Sequence, residues 1–119
     1  MAKAKSLNIF YAYPSNPPDI GEGIEYVCKL LNASNLVKAI TWKDADIVGL
    51  RVIRQVTRKI DSCDIFCCDL TYLNMNVLFE LGYAISKNKR IFISSNTDIK
   101  GQHERFTSIV PIASIGYQG

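Results

Sequence analysis

The residues of this chain best equipped for chemistry lie in one stretch, Asp69-Leu-Thr-Tyr-Leu-Asn74-Met-Asn76-Val-Leu-Phe-Glu80-Leu-Gly82. The apolar run Ile65 to Cys68 precedes it, and Val77, Leu78, Leu81 and, just beyond it, Ala84 and Ile85 recur at helical spacing. The segment therefore reads as strand, loop and helix. Asn74 or Asn76 can cap that helix, because an asparagine oxygen accepts from the free N–H groups of a first turn. Either cap puts Glu80 within the first turn or two. The helix-end potential there favours an ionised carboxylate by about 0.3–1 kcal/mol. An ionised Glu80 is a nucleophile or a stabiliser of positive charge, not an acid. Gly82 is costly inside an apolar-striped helix, which points to close packing against a sheet or a ligand. Spacing alone does not make Glu80 catalytic, since a glutamate early in a helix is also an ordinary dipole-favoured surface residue.

Other elements must position this segment. Leu7 to Tyr13 is nearly continuously apolar, as in a strand covered on both faces. Tyr13-Pro-Ser15-Asn-Pro-Pro18 breaks it, and a helix from about Asp19 buries Ile20, Ile24, Val27 and Leu31. Gly21 and Gly23 weaken this helix by roughly 1 kcal/mol each relative to alanine, so something approaches its first turns closely. Ala39 to Trp42 is a second strand, and the loop Lys43 to Asp46 caps a helix reaching Ile60 with Ile53, Val56 and Ile60 inward. Its outer face carries Arg51, Arg54, Arg58 and Lys59, read as a solvated basic surface. Arg90 to Ser94 is a fourth strand, Gln102 to Ile109 a short helix, and Ile112 to Tyr117 a fifth strand at an edge. Alternating strands and helices with right-handed crossovers give a doubly wound, mainly parallel five-stranded α/β sheet. In such sheets ligands bind beyond the carboxyl ends of the strands. That rule selects Tyr13 to Ser15, Trp42 to Asp46, Asp69 to Asn76 and Ser95 to Asp98.

Composition bounds the function. The 119 residues form one domain, 48% apolar and 21% charged, enough for a real core. No apolar stretch approaches the roughly 18 residues of a membrane span, and MAKAKS lacks the apolar run of a secretion signal, so a cytoplasmic protein is expected. A net charge of +3 gives no reason to invoke nucleic acid. Cys28, Cys63, Cys67 and Cys68 fit no zinc spacing and read as buried thiols. No metal is expected.

The element Asn74-x-Asn-Val-x-Phe-Glu80-Leu-Gly-Tyr-Ala84, with Tyr13-Pro-Ser15 and Cys63-Asp64, resembles the signature of TIR-like nucleotide-binding domains of bacterial anti-phage effectors. Those domains are related to nucleoside 2-deoxyribosyltransferases. The resemblance covers about residues 7 to 95 and implies a flavodoxin-like or TIR-like three-layer sandwich. It also implies that Glu80 attacks or stabilises a ribosyl C1. By the same resemblance the chain is expected to be the N-terminal part of a longer effector, with a C-terminal sensor domain and activation by homo-oligomerisation.

Both chemistries of the related families break an N-glycosidic bond through an oxocarbenium-like transition state and need a carboxylate beside C1. They differ at the leaving group. Nicotinamide leaves NAD already activated by its ring charge, whereas a neutral base needs a general acid. The deoxyribosyltransferase pattern has an aspartate six residues before its glutamate, and this chain has Asn74 there. NAD glycohydrolase activity is therefore expected, with NAD as substrate and no bound cofactor. Tyr13 and Trp42 would stack on nicotinamide or adenine, or else serve as core or interface aromatics. Ser15 would bond phosphate or ribose, and Asn74 and Asn76 would hold the loop or the ribose hydroxyls. Asp69 belongs either to the binding set or to an Asx turn of its own loop. Asp19, Glu22 and Asp46 read as helix-end carboxylates. The alternatives are a non-catalytic TIR-like nucleotide-binding or self-assembly module, and an enzyme like the deoxyribosyltransferases.

Overall fold

The structure, a computed structural model, describes residues 6–44, 51–96 and 115–117. β1 (Leu7–Ala12) leads into α1 (Pro18–Ala33), and β2 (Val37–Thr41) ends in a short 3-10 turn, Trp42–Asp44. Then come α2 (Arg51–Ser62), β3 (Ile65–Asp69), α3 (Met75–Ser86) and β4 (Arg90–Asn96), with a three-residue β5 (Ile115–Tyr117) pairing with the end of β4. The expected helix from Gln102 to Ile109, residues 112–114 of the expected fifth strand, and Asp46 lie outside the described residues.

All strand pairs are parallel, in the order β2-β1-β3-β4-β5. This is the flavodoxin-like order, and its direction reverses between β1 and β3. Right-handed crossovers then place α1 on one face of the sheet and α2 and α3 on the other. The period-two alternation of the strands feeds both cores. Phe10, Ala12, Phe66, Cys68 and Ile93 turn toward Val56, Ile60, Val77, Leu81 and Ala84 of α2 and α3. Phe10 and Phe66 are register partners, and their rings stack with centroids 6.1 Å apart. Burying each such ring contributes about 1.5–3 kcal/mol. On the other face Ile9, Tyr11, Val37 and Ala39 meet Ile20, Ile24 and Cys28 of α1.

Three packing expectations need correction. The inner stripe of α1 is Ile20, Gly21, Ile24 and Cys28, while Val27 is exposed. Val27 and Cys28 are adjacent apolar positions, and it is Cys28 that continues the inward stripe of Ile20 and Ile24. Ile53 is 59% exposed rather than inward. It sits in the first turn of α2 and belongs to neither core. Gly82 makes no close approach, since a Cβ there would meet nothing within 4 Å.

Two polar locks fix the frame. The Asn32 side chain accepts from Ala39 N at 2.7 Å and donates to Ala39 O at 3.0 Å, pinning α1 to β2 and occupying part of that edge strand. Lys89 Nζ donates to the carbonyls of Asp61 and Cys63, at 2.7 and 2.9 Å, and closes the end of α2.

Candidate active site

The loop from β3 to α3 is built by its own side chains. Asp69 is 1% exposed, and its Oδ1 accepts from Thr71 N at 2.9 Å while Oδ2 accepts from Ser94 Oγ at 3.0 Å. Thr71 Oγ1 in turn accepts from Asn96 N at 2.8 Å, tying the loop to the end of β4. Leu73 turns the chain with φ of 45°, and Asn74 caps α3, its Oδ1 accepting from Asn76 N at 2.9 Å and Val77 N at 3.2 Å. With the cap engaged, the amide NH₂ of Asn74 is the group left to donate. The rigid start of α3 sets the direction of Glu80, one turn further along.

Glu80 opens on a cleft of about 310 Å³ lined by Tyr13, Ser15, Trp42, Ile53, Val56, Asn74, Asn76 and Phe79. These residues come from the loops after β1, β2 and β3 and from the first turns of α2 and α3. Six of the seven sequence-derived site residues, namely Tyr13, Ser15, Trp42, Asn74, Asn76 and Glu80, thus share one cavity. Asp69 does not join them. It faces the α1 side and lines a separate hollow of about 400 Å³ with Tyr11, Asp19 and Ser94, where its carboxylate serves its own loop. Glu22 lies on the exposed side of α1.

The charge state of Glu80 reverses the sequence expectation. Its Oε2 is buried with no hydrogen-bond partner, and burial pushes its carboxyl up to about 7. Glu80 sits in the second turn of α3, and the helix-end potential falls off within the first turn, so desolvation prevails. Near neutrality the site therefore holds comparable amounts of carboxylate and carboxylic acid.

One wall is aromatic. Tyr13 is 4% exposed, and its ring is tilted against Trp42 with centroids 5.9 Å apart. The Tyr13 ring fills the space beside Gly21, where a Cβ would come within 2.8 Å of it, so the close approach foreseen for this helix is a side chain. Gly23 has no such neighbour. The Tyr13 hydroxyl donates to Glu25 Oε1 at 2.6 Å, and burial first, then this bond, holds the phenol well above its ordinary range. Tyr13 is thus no proton donor at neutral pH. The opposite rim is apolar, with Ile53, Phe79 and the neighbouring Met75 exposed. Sequence reading missed Ile53, Val56 and Phe79 as lining residues, because an apolar residue facing a cleft has the same spacing as one facing a core.

Among the described residues no group of His, Cys, Asp and Glu could hold a metal ion. The four cysteines are free, three buried and Cys67 half-buried, and desolvation raises Cys63, Cys67 and Cys68. No described helix is long and apolar enough to cross a membrane.

No protein-family model matches this chain, and no curated protein matches it. Solved structures do. A CMP N-glycosidase from Clostridium botulinum superposes with a TM-score of 0.68 at 16% identity, over 94% of this chain and 90% of the other. A 2-deoxyribosyltransferase from Leishmania mexicana gives 0.64 at 21% identity over 76% of this chain, which spans 65% of the transferase's length. A conserved protein from Enterococcus faecalis gives 0.64 at 15% identity, over 92% and 77%. The likeness is one of fold. The sheet and its helices are those on which these N-glycosidic enzymes are built, and a TIR relationship has no counterpart among these three.

Proposed function

We propose that this protein breaks the N-glycosidic bond of a nucleotide, with Glu80 facing the ribosyl carbon that turns positive. The observation carrying this reading is the buried, unpartnered Oε2 of Glu80 in a cleft that it shares with aromatic rings, two amides and an apolar rim. A carboxylate held without partners is poorly solvated in the ground state and gains most when a cation forms beside it. The likeness to a CMP N-glycosidase and a deoxyribosyltransferase supports the bond class.

The substrate we favour is NAD. Glu80 is the only carboxylate among the described residues lining the cleft, and the Tyr13 hydroxyl is committed to Glu25. A leaving group that needs no acid suits such a site. The C1–N bond breaks with its electron pair going to the nicotinamide nitrogen, which neutralises the ring. Glu80 stabilises the ribosyl cation, water adds at C1, and a carboxylate with a value near 7 is matched to accept the water's proton. Tyr13 and Trp42 grip the planar ring, and Asn74, Asn76 and Ser15 hold ribose or phosphate oxygens. About 310 Å³ suits a nucleoside-sized fragment, so the rest of a dinucleotide would extend past the apolar rim. Activation by self-assembly and a role in anti-phage defence belong to the same proposal.

A second reading is favoured by the fold neighbours: a nucleotide with a neutral base, such as CMP, or a deoxynucleoside undergoing base exchange. The test sets wild type and Glu80→Gln against NAD, CMP, and a deoxynucleoside with free adenine, with the released or exchanged base measured by chromatography. Nicotinamide release lost in Glu80→Gln supports the first reading, and cytosine release or base exchange the second. Calorimetric binding of NAD without any product would support a non-catalytic binding module instead.

A further inference from the structure

We infer that Glu25 is a positioning residue that holds the aromatic wall of the Glu80 cleft from outside it. The inference rests on the reading above that this cleft binds a nucleotide. Glu25 stands on α1, one turn beyond Gly21, and does not line the cleft. It borders a neighbouring groove of about 650 Å³ that runs along the outer edge of β2. Its Oε1 accepts two hydrogen bonds, from the Tyr13 hydroxyl at 2.6 Å and from Lys43 Nζ at 2.7 Å. Tyr13 follows β1 and Lys43 follows β2, so a single oxygen joins the loops leaving two strands to one helix.

Each partner governs a ring of the wall. Tyr13 carries its own, and Lys43 Nζ lies 5.7 Å from the centre of the Trp42 ring, within cation–π range. Thr41 is a second partner of the Tyr13 hydroxyl, and its Oγ1 also accepts from Lys43 N at 3.3 Å, so it ties that ring to the backbone at the end of β2 without reaching α1. Glu25 joins the Tyr13 hydroxyl to the Lys43 ammonium, the group that lies over Trp42, and ties both to α1. The platform beneath it is rigid, since Asn32 pins α1 to Ala39, and Gly21 gives the Tyr13 ring its seat. The Lys43–Glu25 pair is itself half-exposed and adds little to stability. Its effect is geometric: it sets the angle between two rings that must close on a flat base.

Trp42 is the chain's single tryptophan, so its fluorescence reads the wall with or without substrate. In Glu25→Ala the emission should shift to the red and acrylamide quenching should increase, while the thermal midpoint hardly moves. With whichever of NAD and CMP the wild type turns over, KM should rise about five- to tenfold and kcat stay within about twofold, the pattern of lost uniform binding. Glu25→Gln keeps an acceptor for Tyr13 without the charge, and Lys43→Met removes the cation. Both should fall between wild type and Glu25→Ala, and either serves where Glu25→Ala fails to fold. Unchanged Trp42 fluorescence, or a loss confined to kcat, would overturn the inference. A wild type that turns over neither substrate refutes the proposed function, and the fluorescence still decides the role of Glu25.

Discussion

Asp69 and Glu80 are both carboxylates held by the β3–α3 unit, and their surroundings differ in one respect. Each oxygen of Asp69 accepts a hydrogen bond, from Thr71 N and Ser94 Oγ, and the carboxylate is spent on its own loop. Glu80 has a buried oxygen with no partner, and burial pushes its carboxyl up to about 7. A buried charge with partners is architecture. A buried charge without them is held in a reactive condition that a charged transition state relieves.

Breaking the contrast at Glu80 should have the largest effect. Glu80→Gln should lower turnover about 10³-fold or more, measured as released base, while the chain stays folded. It should also stabilise the fold at neutral and alkaline pH. The folded-state value of Glu80 lies above its ordinary 4.5, so the folded protein binds the extra proton between about 4.5 and 7. The corresponding stability is complete below about 4.5, declines as pH rises through 7, and is flat above. The loss is on the order of 3 kcal/mol. Denaturation midpoints of wild type and Glu80→Gln should therefore diverge across that window, with the variant lacking the decline.

Breaking the contrast at Asp69 should act on the fold. Asp69→Ala leaves the buried Thr71 N–H without its acceptor and removes one partner of the half-buried Ser94 hydroxyl, and should cost about 1–3 kcal/mol in urea denaturation. The pH dependence of turnover sharpens the comparison further: kcat/KM should rise tenfold per unit below about 7 and level off above it, as expected if the ionised Glu80 is the working form. The smallest pair of effects concerns two glycines. Gly21→Ala should displace the Tyr13 ring and cost about 1–3 kcal/mol, whereas Gly82→Ala should gain about 0.5–1 kcal/mol, because its Cβ meets open space.

The fold was legible where the pattern was strong. The apolar runs IFYA and IFCC, proline at the start of α1 and asparagine before α3 located those elements to within a few residues. The crevice rule then gathered Tyr13, Ser15, Trp42, Asn74 and Asn76 at one end of the sheet, and the helix cap put Glu80 beside them. What the sequence concealed was the outcome of competing terms. The charge state of Glu80 depends on how much solvent α2 and the aromatic wall exclude, and no spacing encodes that. Asp69 looked like a site residue because it ends a strand at the crevice side of the sheet, and only its partners show that it serves its own loop. Glu25 carried no motif at all, since its role arises from two loops that meet above α1.

The central claim is that Glu80, as a carboxylate, faces the anomeric carbon of a nucleotide whose base departs unaided. Nicotinamide release from NAD, followed from pH 5 to pH 9 with wild type and Glu80→Gln side by side, tests it most directly. Release by wild type should climb through about pH 7 and be lower by about 10³-fold or more in the variant. Equal release by the two proteins would contradict it.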